Sequence, residues 1–133
     1  MKKLIPIFSI LAALLLLAAC APKAPVAEYH KITAEQAKER LDSGDELILL
    51  DVRTQEEFNA GHIAGAILLP NETITETEQP DILPDLNAEI LIYCRSGNRS
   101  AQAAKKLVAQ GYTNVYDFGG IIDWPYETVT GAN

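Results

Sequence analysis

Four short apolar runs, separated by polar segments, dominate the pattern of residues 28–133. They span residues 47–52, 66–69, 89–93 and 114–118. Runs of this length, bounded by Gly, Pro or polar residues, are typical of strands that are buried on both faces of a parallel sheet. The pattern therefore predicts four buried strands, with Gly119 and Gly120 ending the last one.

Helical segments alternate with these strands. Thr33 and Gln36 have the spacing of a capping box, which predicts a helix from there to about Ser43 that ends at Gly44. A short helix is predicted over residues 56–60, a longer one over 100–110, and a terminal one through Trp124. Strands that alternate with helices indicate an α/β domain with a mostly parallel sheet.

Two further patterns complete the map of this domain. The long helix has a predicted apolar stripe of Ala101, Ala104, Leu107 and Val108. Residues 71–88 are polar and interrupted by proline, so they predict a loop with no more than one helical turn.

The first twenty residues have the pattern of an export signal. Lys2 and Lys3 precede an apolar run over residues 4–19, which is shorter than a comfortable membrane span. Residues 17–20 resemble the lipobox of bacterial lipoproteins, which implies cleavage before Cys20 and lipidation of that cysteine. We expect a signal peptide at 1–19, a lipidated Cys20 with a Pro/Ala tether over 20–28, and a domain at 29–133.

This pattern predicts a protein held by lipid on the extracytoplasmic face of a bacterial membrane. An ordinary signal peptide in which Cys20 is incidental is the alternative.

Composition and charge exclude several classes of protein. Among 133 residues, 48% are hydrophobic, which is ordinary for a globular domain. The 18 acidic residues outnumber the 11 basic ones, and this balance argues against nucleic-acid binding. A metal site is not expected, because His30, His62 and Cys94 are dispersed and lack the spacing of a zinc site. No cofactor is expected either.

Cys94 is the candidate nucleophile. It lies where a predicted buried strand joins a helix, the position at which α/β sheets form binding crevices. Gly97 and Asn98 tolerate a curled backbone, which would turn N–H groups inward as an anion cradle. The helix N-terminus and the flanking Arg95 and Arg99 add positive charge, and such surroundings favour the reactive thiolate. A buried structural cysteine is the alternative, but its polar neighbours fit that poorly.

Three segments together resemble the rhodanese domain. They are residues 51–53 with Glu57, Phe58 and 61–66, the loop 94–99, and the Gly-Gly-x-x-x-Trp pattern at 119–124. The resemblance spans roughly residues 30–130. It implies a five-stranded, mostly parallel sheet flanked by helices, and a cysteine that carries a sulfane sulfur as a persulfide.

The resemblance also assigns roles to residues. Cys94 would be catalytic, and Arg95, Ser96, Gly97, Asn98 and Arg99 would bind substrate. Phosphatases of the same fold have one more residue between cysteine and arginine, and Ser100 cannot replace that arginine. The shorter loop therefore suits a single sulfur atom.

Other polar residues are expected to support the site. Asp51 would orient the loop or an arginine, and Arg53 would pair with Glu57 on the following short helix. His62 is a possible general base, but its motif favours a bracing role. Trp124 is expected in the core rather than as a substrate platform.

The function that this resemblance implies is transfer of sulfur from a small anionic donor, such as thiosulfate, to a thiol or cyanide acceptor. The chain would act as a monomer. Two alternatives remain: a binding or sensing module without turnover, and an exported thiol redox protein. Cys94 has no Cys-x-x-Cys partner, which argues against the second.

Overall fold

The computed structural model of the chain describes residues 28–132. The predicted signal peptide, Cys20 and most of the tether lie outside the described residues. Within residues 28–132, none of the helices is long and apolar enough to cross a lipid bilayer.

A five-stranded parallel sheet forms the centre of the domain, as predicted. Its strands are β1 (His30–Lys31), β2 (Ile48–Asp51), β3 (Ile67–Leu68), β4 (Ile90–Cys94) and β5 (Val115–Gly120). They lie in the order β1-β5-β4-β2-β3, and all neighbouring pairs are parallel. The central strand β4 is buried along its whole length, which matches its continuous apolar sequence.

Helices cover both faces of the sheet. They are α1 (Ala34–Asp42), α2 (Gln55–Ala60) and α3 (Asn98–Gln110). The predicted capping box begins α1: the Gln36 amide donates to Thr33 Oγ1 and the Thr33 amide donates to Gln36 Oε1. Two 3₁₀ turns, Asn71–Thr73 and Ile121–Asp123, complete the regular structure of residues 28–132.

The alternation of side chains along β4 separates two apolar cores. Ile90, Ile92 and Cys94 belong to the core under α3, whereas Leu91 and Tyr93 belong to the core on the opposite face, with Ala37 of α1 and Phe58 of α2. The side chains of consecutive residues at the end of β4 therefore pack on opposite faces of the sheet.

The end of β5 differs from the prediction. Gly119 and Gly120 continue the strand instead of breaking it, and Gly120 pairs with Cys94. The predicted terminal helix is only the 3₁₀ turn Ile121–Asp123, which stops at an extended Trp124 just before Pro125.

The stripe predicted for α3 was only partly correct. The helix begins at Asn98 rather than residue 100, and its buried residues are Ser100, Ala103, Ala104 and Leu107. Ala101 and Val108 are half-buried beside them.

Candidate active site

Cys94 lies at the carboxyl end of the central strand, where the chain leaves the sheet to enter α3. Its side chain is 1% exposed and contributes to the core under α3. The thiol thus lies beneath the loop formed by residues 95–97 and is almost fully shielded from solvent.

Two neighbours contact the Cys94 sulfur. The Gly97 amide donates to Sγ at 3.0 Å, and Ser100 Oγ lies 3.5 Å from Sγ. Ser100 Oγ is also 3.1 Å from the Gly97 carbonyl oxygen and 3.4 Å from that of Gly119. Because a serine hydroxyl has one proton, it donates to one of these acceptors at a time, and a negatively charged sulfur is the strongest of them.

The loop is curled by a glycine, as the sequence predicted. Gly97 has a φ of 103°, in the left-handed region that favours glycine. It occupies the N-cap position of α3 and supplies no side-chain cap, so the first-turn amides of Asn98 and Arg99 remain available to an anion beside the loop. Asn98 itself does not need the left-handed region, since none of the non-glycine residues among 28–132 has a positive φ.

Gly120 lets the loop pack directly on β5. A Cβ built on Gly120 would overlap the Arg95 carbonyl group and approach Ser96 Cα to 2.6 Å. The amide of Ile122 in the following turn donates to the Arg95 carbonyl oxygen at 3.2 Å. The backbone of β5 therefore supports the loop at the residue that follows the nucleophile.

The two arginines of the loop have different surroundings. Arg95 is exposed, and it makes no ion pair with residues 28–132. Arg99 donates through Nη2 to both carboxylate oxygens of Glu57, at 3.0 and 3.2 Å. Arg99 therefore joins the start of α3 to α2, whereas Arg95 has no such charged partner among these residues; Ser96 and Asn98 are exposed at the same loop.

The expected pairing of Arg53 with Glu57 is wrong. Arg53 folds back on Asp51, with Nε and Nη2 donating to its carboxylate at 2.7–3.1 Å, and Nη2 also donates to the Gly61 carbonyl oxygen at 2.6 Å. Both side chains are buried, so this is not a surface contact. Asp51 points inward from the end of β2 and pairs with Arg53, the nearest arginine. Glu57 pairs with Arg99 instead.

This buried ion pair connects to Tyr93, the residue before Cys94. Burial opposes the charge on Arg53, but hydrogen bonds and attraction from Asp51 outweigh it and raise the pKa of Arg53. Burial and the negative charge of Asp51 likewise raise the pKa of the Tyr93 phenol, which accepts a hydrogen bond from the Ile63 amide. Asp51 at the end of β2 thus interacts with Tyr93 near the end of β4, on the face of the sheet opposite Cys94.

His62 and Trp124 lie in structural surroundings. The His62 ring is buried, stacks on Phe58 with centroids 3.7 Å apart, and has Nδ1 2.9 Å from the Phe58 carbonyl oxygen. Its backbone exchanges hydrogen bonds with Val129. Trp124 packs against Phe118 and Tyr126 in the core beside α1 and α2.

Sequence reasoning named Glu57, Ser100 and Gly120 for other reasons and missed the contacts that they make at the site. Ser100 could have been noticed because it lies in the first turn after the loop, where side chains face the preceding strand end. The contacts of Glu57 and Gly120 with the loop join distant parts of the chain, so no local pattern reveals them.

No group of three His, Cys, Asp or Glu side chains suited to a metal ion occurs among residues 28–132. Cys94 is a free thiol in this part of the chain. The groups of the loop that can take part in chemistry are therefore a thiol, backbone amides and arginine.

Comparison with protein families finds a match to the rhodanese-like domain over residues 33–125. Two relatives illustrate the similarity. Thiosulfate sulfurtransferase GlpE of Pseudomonas entomophila is 36% identical, over 80% of this chain and 97% of that protein. A sulfurtransferase of Allochromatium vinosum is 38% identical, over 71% of this chain and 87% of that protein.

Solved structures have the same fold. A rhodanese-like domain protein from Staphylococcus aureus superposes with a TM-score of 0.65 at 33% identity, covering 77% of this chain and 99% of that one. A rhodanese with anions from E. coli superposes with a TM-score of 0.59 at 32% identity, covering 65% of this chain and 100% of that one. The predicted fold class is thereby confirmed.

Proposed function

Since the chain belongs to the rhodanese family, we propose that it is a sulfurtransferase in which Cys94 carries a sulfane sulfur as a persulfide. The names of its relatives support sulfur transfer. The observation that carries the proposal is the position of Cys94 Sγ, which accepts the Gly97 amide at 3.0 Å at the bottom of a curled loop. At this position the Gly97 N–H offers a hydrogen bond to a sulfur that carries negative charge.

In the first step, the Cys94 thiolate attacks the outer sulfur of an anionic donor such as thiosulfate. A bond forms between Sγ and that sulfur, the donor's S–S bond breaks, and sulfite leaves with the electron pair. The negative charges balance. The thiolate carries one and thiosulfate carries two before the step, and the persulfide carries one and sulfite carries two after it. Arg95 and the first-turn amides of α3 offer positive charge to the sulfonate.

In the second step, an acceptor thiolate or cyanide attacks the outer sulfur of the persulfide. The S–S bond breaks, and its electron pair returns to Cys94 Sγ. The Gly97 amide stabilises the developing thiolate, as does the Ser100 hydroxyl when it turns toward sulfur. Dividing the transfer into two steps is covalent catalysis, and it needs no cofactor.

The central test is a mass measurement. Full-length chain, purified in detergent and treated with thiosulfate, should gain the mass of one sulfur atom and lose it again with cyanide. A protein that gains no sulfur contradicts the proposal.

Arg95 and Arg99 are expected to contribute in different ways. Arg95→Ala should weaken use of thiosulfate by about one to two decades in kcat/KM, because one charge-assisted contact is lost. An uncharged organic persulfide donor should be less affected. Arg99→Ala should lower activity with both donors, because the contact with Glu57 that holds the loop is lost. Steady-state kinetics with the two donors separates the roles.

Matched variants sharpen this comparison. Glu57→Gln should resemble Arg99→Ala, since it removes the same ion pair from the other side. Arg95→Lys should restore thiosulfate use only in part, because lysine lacks the planar fork of arginine. Equal losses with both donors in Arg95→Ala would refute the sulfonate role, and wild-type activity in Arg99→Ala would refute the supporting role.

The proposal includes a lipid anchor at Cys20, on the extracytoplasmic face of a bacterial membrane. It is supported by the pattern of residues 17–20 and the preceding apolar run. Cys20→Ala should convert a detergent-extracted lipoprotein into an uncleaved or soluble form. Metabolic labelling with a fatty-acid analogue, followed by membrane fractionation, measures this. Equal membrane retention with no label on either protein would contradict lipidation.

A further inference from the structure

A network of hydrogen-bonded side chains runs along one face of α3 to the loop after β4. Asn98, Gln102 and Lys106 are four residues apart, so they lie above one another on the surface of the helix. Asn71, the first residue of the 3₁₀ turn Asn71–Thr73, is buried and contacts both Gln102 and Lys106. Its backbone amide donates to the Val52 carbonyl oxygen at 3.0 Å, which fixes the turn beside the end of β2. We call these four side chains the amide network.

The contacts of the amide network lead in sequence from Lys106 to the loop. Lys106 Nζ donates to Asn71 Oδ1 at 3.1 Å and to the Asn71 carbonyl oxygen at 2.9 Å. Asn71 Nδ2 donates to Gln102 Oε1 at 3.0 Å. Gln102 Nε2 donates to Asn98 Oδ1 at 3.5 Å, which is the longest contact of the network and joins two exposed side chains. Lys106 belongs to none of the ion pairs among residues 28–132, so its charge acts on these amides alone.

The lysine sets the direction of every contact that follows. An ammonium group donates and cannot accept, so Asn71 presents its oxygen to Lys106 and its N–H₂ group to Gln102. The oxygen of Gln102 is thereby occupied, and its N–H₂ group is left to meet Asn98. Asn98 accepts with its oxygen, and its Nδ2 donates to no group among residues 28–132. The N–H₂ group of Asn98 is therefore the end of the network that is open to a ligand.

We propose that Asn98 donates this N–H₂ group to an oxygen of the anionic sulfur donor, and that the other three side chains of the network are positioning residues that orient it. The inference rests on the proposed function, because the sulfur donor is the first substrate of that reaction. Asn98 directly follows Gly97, whose amide contacts the Cys94 sulfur at 3.0 Å, so a sulfur donor at that atom lies beside this residue. A network with the opposite direction would present the Asn98 carbonyl oxygen instead and repel the anion.

A near-isosteric substitution reverses the network. Asn71→Asp keeps an acceptor for Lys106 but removes the group that donates to Gln102. Gln102 then turns its N–H₂ group to the new carboxylate and its oxygen to Asn98, which draws the Asn98 N–H₂ group away from the sulfur donor. In full-length protein in detergent, kcat/KM for thiosulfate should fall about fivefold, as expected for one net hydrogen bond. An uncharged organic persulfide donor should change by less than about twofold.

A second variant makes the same reversal at an exposed position. Gln102→Glu places acceptors only between Asn71 and Asn98, and it tests the network even if a buried aspartate prevents folding. It should also lower kcat/KM for thiosulfate about fivefold. Asn87→Asp is the matched control for added negative charge. Asn87 Oδ1 accepts from Thr113 Oγ1 at 3.0 Å, and aspartate keeps that acceptor, so this variant should retain wild-type kinetics with both sulfur donors.

A double-mutant cycle separates orientation of Asn98 from an effect of charge or structure. Asn98→Ala alone should lower kcat/KM for thiosulfate about fivefold. Adding Asn71→Asp or Gln102→Glu should then lower it by less than about twofold more, because the group that they orient is gone. Fivefold losses that persist in the Asn98→Ala background, or wild-type thiosulfate kinetics in Asn98→Ala or in Gln102→Glu, refute the positioning network alone. Wild-type protein that takes no sulfur from thiosulfate refutes the sulfurtransferase proposal itself.

Discussion

Thiosulfate is expected to leave the Cys94→Ser protein unchanged in mass, whereas the wild-type chain should gain about 32 Da, one sulfur atom on its nucleophile. Serine keeps the size and the contact with the Gly97 amide, but its hydroxyl does not ionise in the neutral range. Turnover with thiosulfate and cyanide should fall by about four decades or more, as is typical when a covalent nucleophile is removed. Intact-mass spectrometry and a thiocyanate assay measure the two effects.

The other cysteine supplies the control for this experiment. Cys20→Ser retains Cys94 and should still gain one sulfur, whatever its lipidation. A wild-type adduct that persists in Cys94→Ser would place the persulfide elsewhere and overturn the mechanism.

Asp51→Asn should have the largest effect on folding. It leaves the Arg53 charge buried beside the Gly61 carbonyl, the Tyr93 ring and a neutral amide, with no carboxylate to compensate it. Removing one partner of a buried ion pair costs about 3–5 kcal/mol in the free energy of unfolding, because the remaining charge loses its compensation. Urea unfolding, read as a shift of the midpoint at constant slope, measures this cost.

An exposed ion pair provides the matched comparison. Lys38 and Asp42 pair on the surface of α1, so Asp42→Asn should cost less than about 1 kcal/mol. Combining Asp51→Asn with Arg53→Met should recover part of the stability, because no charge then remains buried. If Asp51→Asn were as mild as Asp42→Asn, the buried pair would not hold the strand ends together.

Much of the fold was predictable because its signals are local. The continuous apolar runs around β2 and β4, and the capping box at Thr33, each specify an element within a few residues. The first strand is only two residues long, His30–Lys31, and both are exposed. No sequence pattern of that length predicts a strand. Gly119 and Gly120 were interpreted as a break because their role, to admit the backbone of Arg95 and Ser96, depends on a distant part of the chain.

The candidate site likewise has features that local sequence predicts and features that depend on how distant segments pack. The strand–loop–helix order around Cys94 and the left-handed Gly97 follow from consecutive residues. Which carboxylate meets which arginine depends on how α2, α3 and the sheet pack. Asp51 and Glu57 were both within sequence reach of Arg53, and burial at the end of β2 decided in favour of Asp51.

The depth of Cys94 also limits the partners with which it can exchange sulfur. Thiol–disulfide exchange requires three sulfur atoms in line, and a disulfide with carbon on both sides cannot bring its sulfur down to a side chain that is 1% exposed. A terminal sulfur atom can reach that depth. The loop would therefore protect the resting thiol from mixed disulfides, while in the proposed reaction the outer atom of the persulfide, one bond further out, would remain open to acceptors.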